Sequence, residues 1–182
     1  QLLPGDWAKH SNYDRGDNPD IDQALSKLDN LNTSGKRILQ LDGGRVALMT
    51  DDSIEIADML TGRTLKQQSI SNPIVAKSSR GVSFCSAEQP QKLTTITFEA
   101  TGASGTTESE LPAEIKGESI KKICDAPGGA VVGILTESGT LNFIDTDDGS
   151  VLHSQSDVRD FIVSGNQVQI VESTNGGKIK TF

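Results

Sequence analysis

The chain has 182 residues, a formal net charge of −8 from 17 Lys and Arg against 25 Asp and Glu, and only 34% hydrophobic and 4% aromatic residues. A phosphate-backbone binder needs clustered cations, whereas Lys36-Arg37 and Lys121-Lys122 are isolated pairs, so nucleic acid is excluded as a partner. No run approaches the roughly 20 apolar residues of a membrane span and no signal-peptide core is present, so this segment is expected to make no direct membrane span.

Residues 1–35 read as an N-terminal arm. Gly5 to Asp20 is polar and loop-like and holds the single Trp and Tyr, Trp7 and Tyr13. Ile21, Ala24, Leu25, Leu28 and Leu31 then fall at helical spacing, with Asp20 as N-cap and Gln23 as its capping-box partner, which predicts a short helix packed on the rest. Asp14, Asp17, Asp20 and Asp22 crowd oxygen ligands together without the order of an EF-hand loop, and a solvated acidic loop is the preferred reading. Arg15-Gly16-Asp17 spells an adhesion tripeptide with no supporting signal. Asn32-Thr33-Ser34 is a candidate glycosylation acceptor and favours the secretory pathway, with the endoplasmic reticulum lumen ahead of the cytoplasm.

From residue 36 onward short β-rich runs alternate with turn residues, the mark of antiparallel sheet. Ile38 to Leu65 is matched by Ile123 to Leu152: Asp58 and Asp145 lie 87 residues apart, as do Gly62 and Gly149. That offset is about twice the roughly 40 to 50 residues of a four-stranded propeller blade. A weaker copy therefore fills the gap, with strand-like runs from Pro73, Lys92 and Thr106, and a further start follows at Arg159. The expected fold is all-β: three to four antiparallel propeller blades in a partial ring, at roughly 36–70, 73–112, 118–156 and 158–182. Val46, Leu48, Ile54 and Ile56 are expected to point inward by alternation. Glycines at 128, 129, 133, 102 and 105 match neither a dinucleotide fingerprint nor a P-loop and read as turns. An open ring exposes edges that proteins normally cover, which implies either a longer chain or a second polypeptide as the completing partner.

The repeated Asp-x-x-x-Gly-x-x-Leu at Asp58 to Leu65 and Asp145 to Leu152 places an acceptor and a left-handed position in one turn, so Asp58, Gly62, Asp145 and Gly149 are assigned structural rather than catalytic roles. With its flanking residues the pattern resembles the repeat of quinoprotein-type (PQQ-like) β-propellers, although Lys66 and His153 stand where that family carries Trp. Asp6-Trp7 adds a likeness to the lumenal PQQ-like propellers of the endoplasmic reticulum membrane complex, notably its subunit 1. The first resemblance implies a propeller. The second implies a lumenal scaffold supporting membrane-protein insertion.

Catalytic signals are absent from this reading. His10 and His153 lack a nucleophile motif, four His and Cys residues have no zinc spacing, and no cofactor or metal ligand set is assigned. Cys85 and Cys124, 39 residues apart, are open to either a disulfide or free thiols. The preferred function is a non-catalytic scaffold or protein-interaction propeller, as a domain of a larger protein or complex. The alternative is a fragment of a quinoprotein-type oxidoreductase or ligand-binding propeller.

Overall fold

Short strands, mostly of five to seven residues, arise because Gly, Asn, Asp and Ser clusters interrupt each apolar run before it lengthens. The computed structural model describes residues 35–78, 80–99, 104–126, 130–174 and 176–181. The arm, with its helix, Trp7, acidic cluster and Asn32, lies outside the described residues.

Four antiparallel sheets follow one another along the chain. The first contains β1 (Arg37–Leu41), β2 (Arg45–Met49), β3 (Ser53–Asp58) and β4 (Thr64–Ser69). The second contains β5 (Pro73–Lys77), β6 (Gly81–Ser86), β7 (Lys92–Phe98) and β8 (Ser104–Glu110). The third contains β9 (Ile120–Asp125), β10 (Val131–Thr136), β11 (Leu141–Asp145) and β12 (Val151–Gln155), and the fourth has three strands, β13 (Val158–Ser164), β14 (Gln167–Glu172) and β15 (Ile179–Thr181). Each strand pairs only with its sequence neighbours within its sheet, and β9 lies beside both β5 and β13. This is a partial ring of propeller blades, with the first strand of each blade inside.

Apolar layers between sheets hold the ring together. Ala47, Met49, Ile54 and Ile56 of the first sheet meet Val82, Phe84 and Ile96 of the second. Cys85 and Leu93 meet Ile123, Val132, Ile134 and Ile144 of the third, and Leu135 and Leu141 meet Val158, Phe161 and Ile170 of the fourth. Lys122 reinforces the last junction: its Nζ donates to Asp160 Oδ1 at 3.0 Å and to the Phe161 carbonyl at 2.6 Å.

Three expectations are corrected. Val46 and Leu48 do not share a layer with Ile54 and Ile56: the β2–β3 register pairs Val46 with Ala57 and Ala47 with Ile56, so the two sets lie on opposite faces of the sheet. Gly133 is not in a turn but inside β10, because a Cβ there would stand 2.8 Å from the Phe161 ring, which lies edge-on to Phe143. Gly105 likewise sits within β8. A four-residue helix, α1 (Ala113–Lys116), joins the second and third sheets and buries Ile115; Pro112 ahead of a polar run was its sole sequence signal.

The repeated outer turns have matching geometry. Asp58 Oδ1 accepts from the Leu60 and Thr61 N–H groups at 2.8 and 3.1 Å, and Asp145 Oδ1 accepts from Asp147 N–H at 2.8 Å. Gly62 and Gly149 donate back to the Asp58 and Asp145 carbonyls, both at 2.9 Å, from left-handed φ values of 68° and 77°. The Ser150 hydroxyl, and with it the Ser150 N–H that donates to Asp148 Oδ1 at 2.8 Å, hold the Asp148 carboxyl below its usual range. Gly149 also abuts the Glu110 backbone of the second sheet, where an added Cβ would overlap the carbonyl oxygen. Gly149→Ala is therefore expected to cost about 2–4 kcal/mol in urea unfolding, against about 1 kcal/mol for Gly165→Ala, whose φ is 57° with open space around it. Equal losses would show that the contact between sheets is irrelevant.

Candidate functional site

The open end of the ring is where unused binding capacity concentrates. In the first sheet the strand pairing skips Leu65, because Ile56 faces Lys66 while Ala57 faces Thr64. The third sheet repeats the bulge at Leu152, since Phe143 faces His153 and Ile144 faces Val151. Leu65 packs against the layer between the first and second sheets. Leu152, at the equivalent position, is 56% exposed.

The fourth sheet carries further exposed apolar side chains. Its face turned away from the third sheet carries Ile162, opposite Gln169, and Val171, opposite Ile179. Ile162 and Ile179 are 49% and 67% exposed. Among the described residues β15 is the outermost strand of the fourth sheet, an edge of the kind that pairs with another strand. Composition also distinguishes β12. The other outer strands carry charges that blunt them, Lys66 in β4 and Glu108 and Glu110 in β8, whereas Val151 to Gln155 has no charged residue.

Beside β12 a cleft of about 420 Å³ is lined by Glu114 and Glu118 of the helix region, Thr136, Ser138, Asn142, Val151 and Ser154. His153 lies exposed in β12 and meets no nucleophile. Both cysteines are free: Cys85 is buried between the second and third sheets, which pushes its thiol up to about 12, and Cys124 packs in the next layer. Among the described residues no group of three metal-capable side chains comes together.

Sequence reasoning passed over Asp125. It closes β9, and both carboxylate oxygens are shielded without a hydrogen-bond partner among the described residues. Burial pushes its carboxyl up to about 6 from 3.8; the nearby Ser78 hydroxyl, which already accepts from the Arg80 and Gly81 N–H groups, offsets little of this. Ser78 lines a cleft of about 150 Å³ between the second and third sheets, floored by the buried Ser83–Thr95 hydroxyl pair at 2.9 Å. Below pH 3.8 the Asp125 carboxyl is protonated in both the folded and unfolded chain. Between there and about pH 6 only the folded chain keeps the proton, so stability falls as pH rises. Asp125→Asn is expected to stabilise the protein at pH 7.5 by on the order of 1 kcal/mol, discounted for solvent screening, and to give no gain at pH 3.5. A gain of the same size at both pH values would assign the effect to packing.

No family model matches the chain, and no curated protein matches it. Solved structures do. The chain is similar to Hsv2 of Kluyveromyces lactis, with a TM-score of 0.62 and 10% identity over 81% of this chain and 48% of that one. It is similar to the Cps50 (Swd1) β-propeller domain of Myceliophteria thermophila, with a TM-score of 0.54 and 13% identity over 80% and 52%. BamB from Moraxella catarrhalis follows at 0.53 and 12% over 79% and 41%. The chain thus spans about half the length of these proteins, and at such identities the likeness carries the fold: a stretch of β-propeller.

Proposed function

We propose that the chain is a non-catalytic β-propeller scaffold, part of a larger protein or complex, that works by docking protein at its open end. The observation that carries this reading is the coincidence of exposed Leu152, Ile162 and Ile179 with the uncharged outer strand β12 and the edge of β15. Its partner is an extended, apolar-alternating strand, supplied by a further part of the same protein or by another polypeptide, which would complete the fourth sheet and cover Leu152.

The finer reading keeps the PQQ-like resemblance, supported by the matching turns at Asp58 and Gly62 and at Asp145 and Gly149. It places the scaffold in the endoplasmic reticulum lumen, as a glycoprotein carrying its glycan on Asn32 and supporting membrane-protein insertion. This assignment rests on Asp6-Trp7 and the Asn32 sequon.

Ile162→Lys with Ile179→Lys tests the docking surface. Both side chains are exposed, so the unfolding free energy is expected to change by no more than about 0.5 kcal/mol per substitution. Light scattering should show the unmodified chain self-associating at high concentration through its uncovered end and the variant remaining monomeric. Proteins captured by the unmodified chain from its source extract should be lost from the variant. Unchanged self-association and an unchanged captured set would place the interaction elsewhere.

A further inference from the structure

The seam between the second and third sheets departs from its neighbours at one row of the register. Met49, Cys85 and Leu135 each pack into the seam that follows their own sheet, and the residues two positions earlier, Ala47, Ser83 and Gly133, are therefore equivalent. Across the sheet Ala47 faces Ile56 and Gly133 faces Phe143, whereas Ser83 faces Thr95, and Thr107 of β8 continues that row. A row that is apolar in the first and third sheets is hydroxylic in the second.

Ser83 and Thr95 are 3% and 9% exposed. Their hydroxyls share a single bond of 2.9 Å, so one O–H donates and the other is left without an acceptor among the described residues. A buried donor without an acceptor is unfavourable, and both residues line the cleft of about 150 Å³ in this seam. Two exposed charges also line it: Arg80, from the connection between β5 and β6, and Asp147, from the outer turn of the third sheet. Asp145 and Asp148 in that turn accept backbone N–H groups. Neither Arg80 nor Asp147 has an ion-pair partner among the described residues.

We propose that this cleft binds a small zwitterion of the amino-acid class, its carboxylate held by Arg80 and the spare hydroxyl of the Ser83–Thr95 pair, its ammonium group by Asp147. Size limits the guest, because drug-sized ligands occupy pockets of about 300 Å³ or more. Charge then selects it. A simple anion would leave the Asp147 carboxylate facing it, and a simple cation would face the Arg80 guanidinium; a molecule carrying both signs meets a counter-charge from each sheet. The hydroxyl floor offers no apolar surface for a large side chain. A guest seated there joins the second sheet to the third and stabilises their seam by mass action. The site is separate from the docking surface on the fourth sheet and holds whether or not a strand binds there.

The test titrates the full isotope-labelled chain by NMR, at constant ionic strength, with glycine, β-alanine and γ-aminobutyrate, and with acetate and methylammonium as single-charge controls. At least one zwitterion is expected to give saturable shifts of the Gly81, Thr97 and Thr146 amides, with an affinity at least about tenfold above that of either control. Arg80→Gln and Asp147→Asn, both at exposed positions, should each weaken it by about tenfold or more with folding retained. Ser83→Ala with Thr95→Val removes both hydroxyls together and should weaken binding without loss of stability. Absence of saturable shifts with all three zwitterions overturns the proposal. So does a control that binds as tightly as the best zwitterion, or binding that Asp147→Asn leaves unchanged.

Discussion

A twisted four-stranded sheet with apolar residues on both faces has no stable existence alone, and this requirement organises the chain. Val46 and Leu48 project to one side of the first sheet, and Ala47 and Met49 to the other. Neither side tolerates water, so each sheet must be flanked twice, and the radial stacking of a propeller is the arrangement in which every blade flanks the next. The layers show the consequence. Phe84 of the second sheet fills the gap to the first, while the adjacent Cys85 fills the gap to the third, so the sequence alternation of one strand serves two junctions.

Repetition made the architecture legible. Asp58 with Gly62, and Asp145 with Gly149, mark the same turn in two blades because a backbone that must reverse in a left-handed position accepts few residues there. Such signals are local and survive without context. The sidedness of β2 against β3 was not legible, because a run that is apolar at consecutive positions, as from Val46 to Met49, has no period to read. Gly133 misled for a related reason. Its glycine serves the Phe161 ring of another blade, and nothing within β10 announces a partner about thirty residues downstream in the chain.

Asp125 illustrates the same limit for titratable groups. A lone Asp near the sequence Pro127-Gly128-Gly129 reads as turn chemistry, since Asp is common beside glycines. Its unusual state comes from shielding at the junction of two blades, a tertiary property. The reverse holds for Asp145 to Gly149, where several carboxylates suggest an ion site but are engaged with their own N–H groups. Local hydrogen bonds explain the acids that cluster; burial explains the acid that stands alone.

The bulge at Leu65 and Leu152 turns repetition into an argument about function. Two copies of one motif place a leucine at the same irregularity. In the first blade that leucine finds a neighbouring sheet, while in the third it meets solvent. Its presence, together with Ile162 and Ile179 on the adjoining sheet and the lack of charge along β12, gives this end of the ring the chemistry of an interior. That chemistry is what the proposed docking of an extended strand rests on.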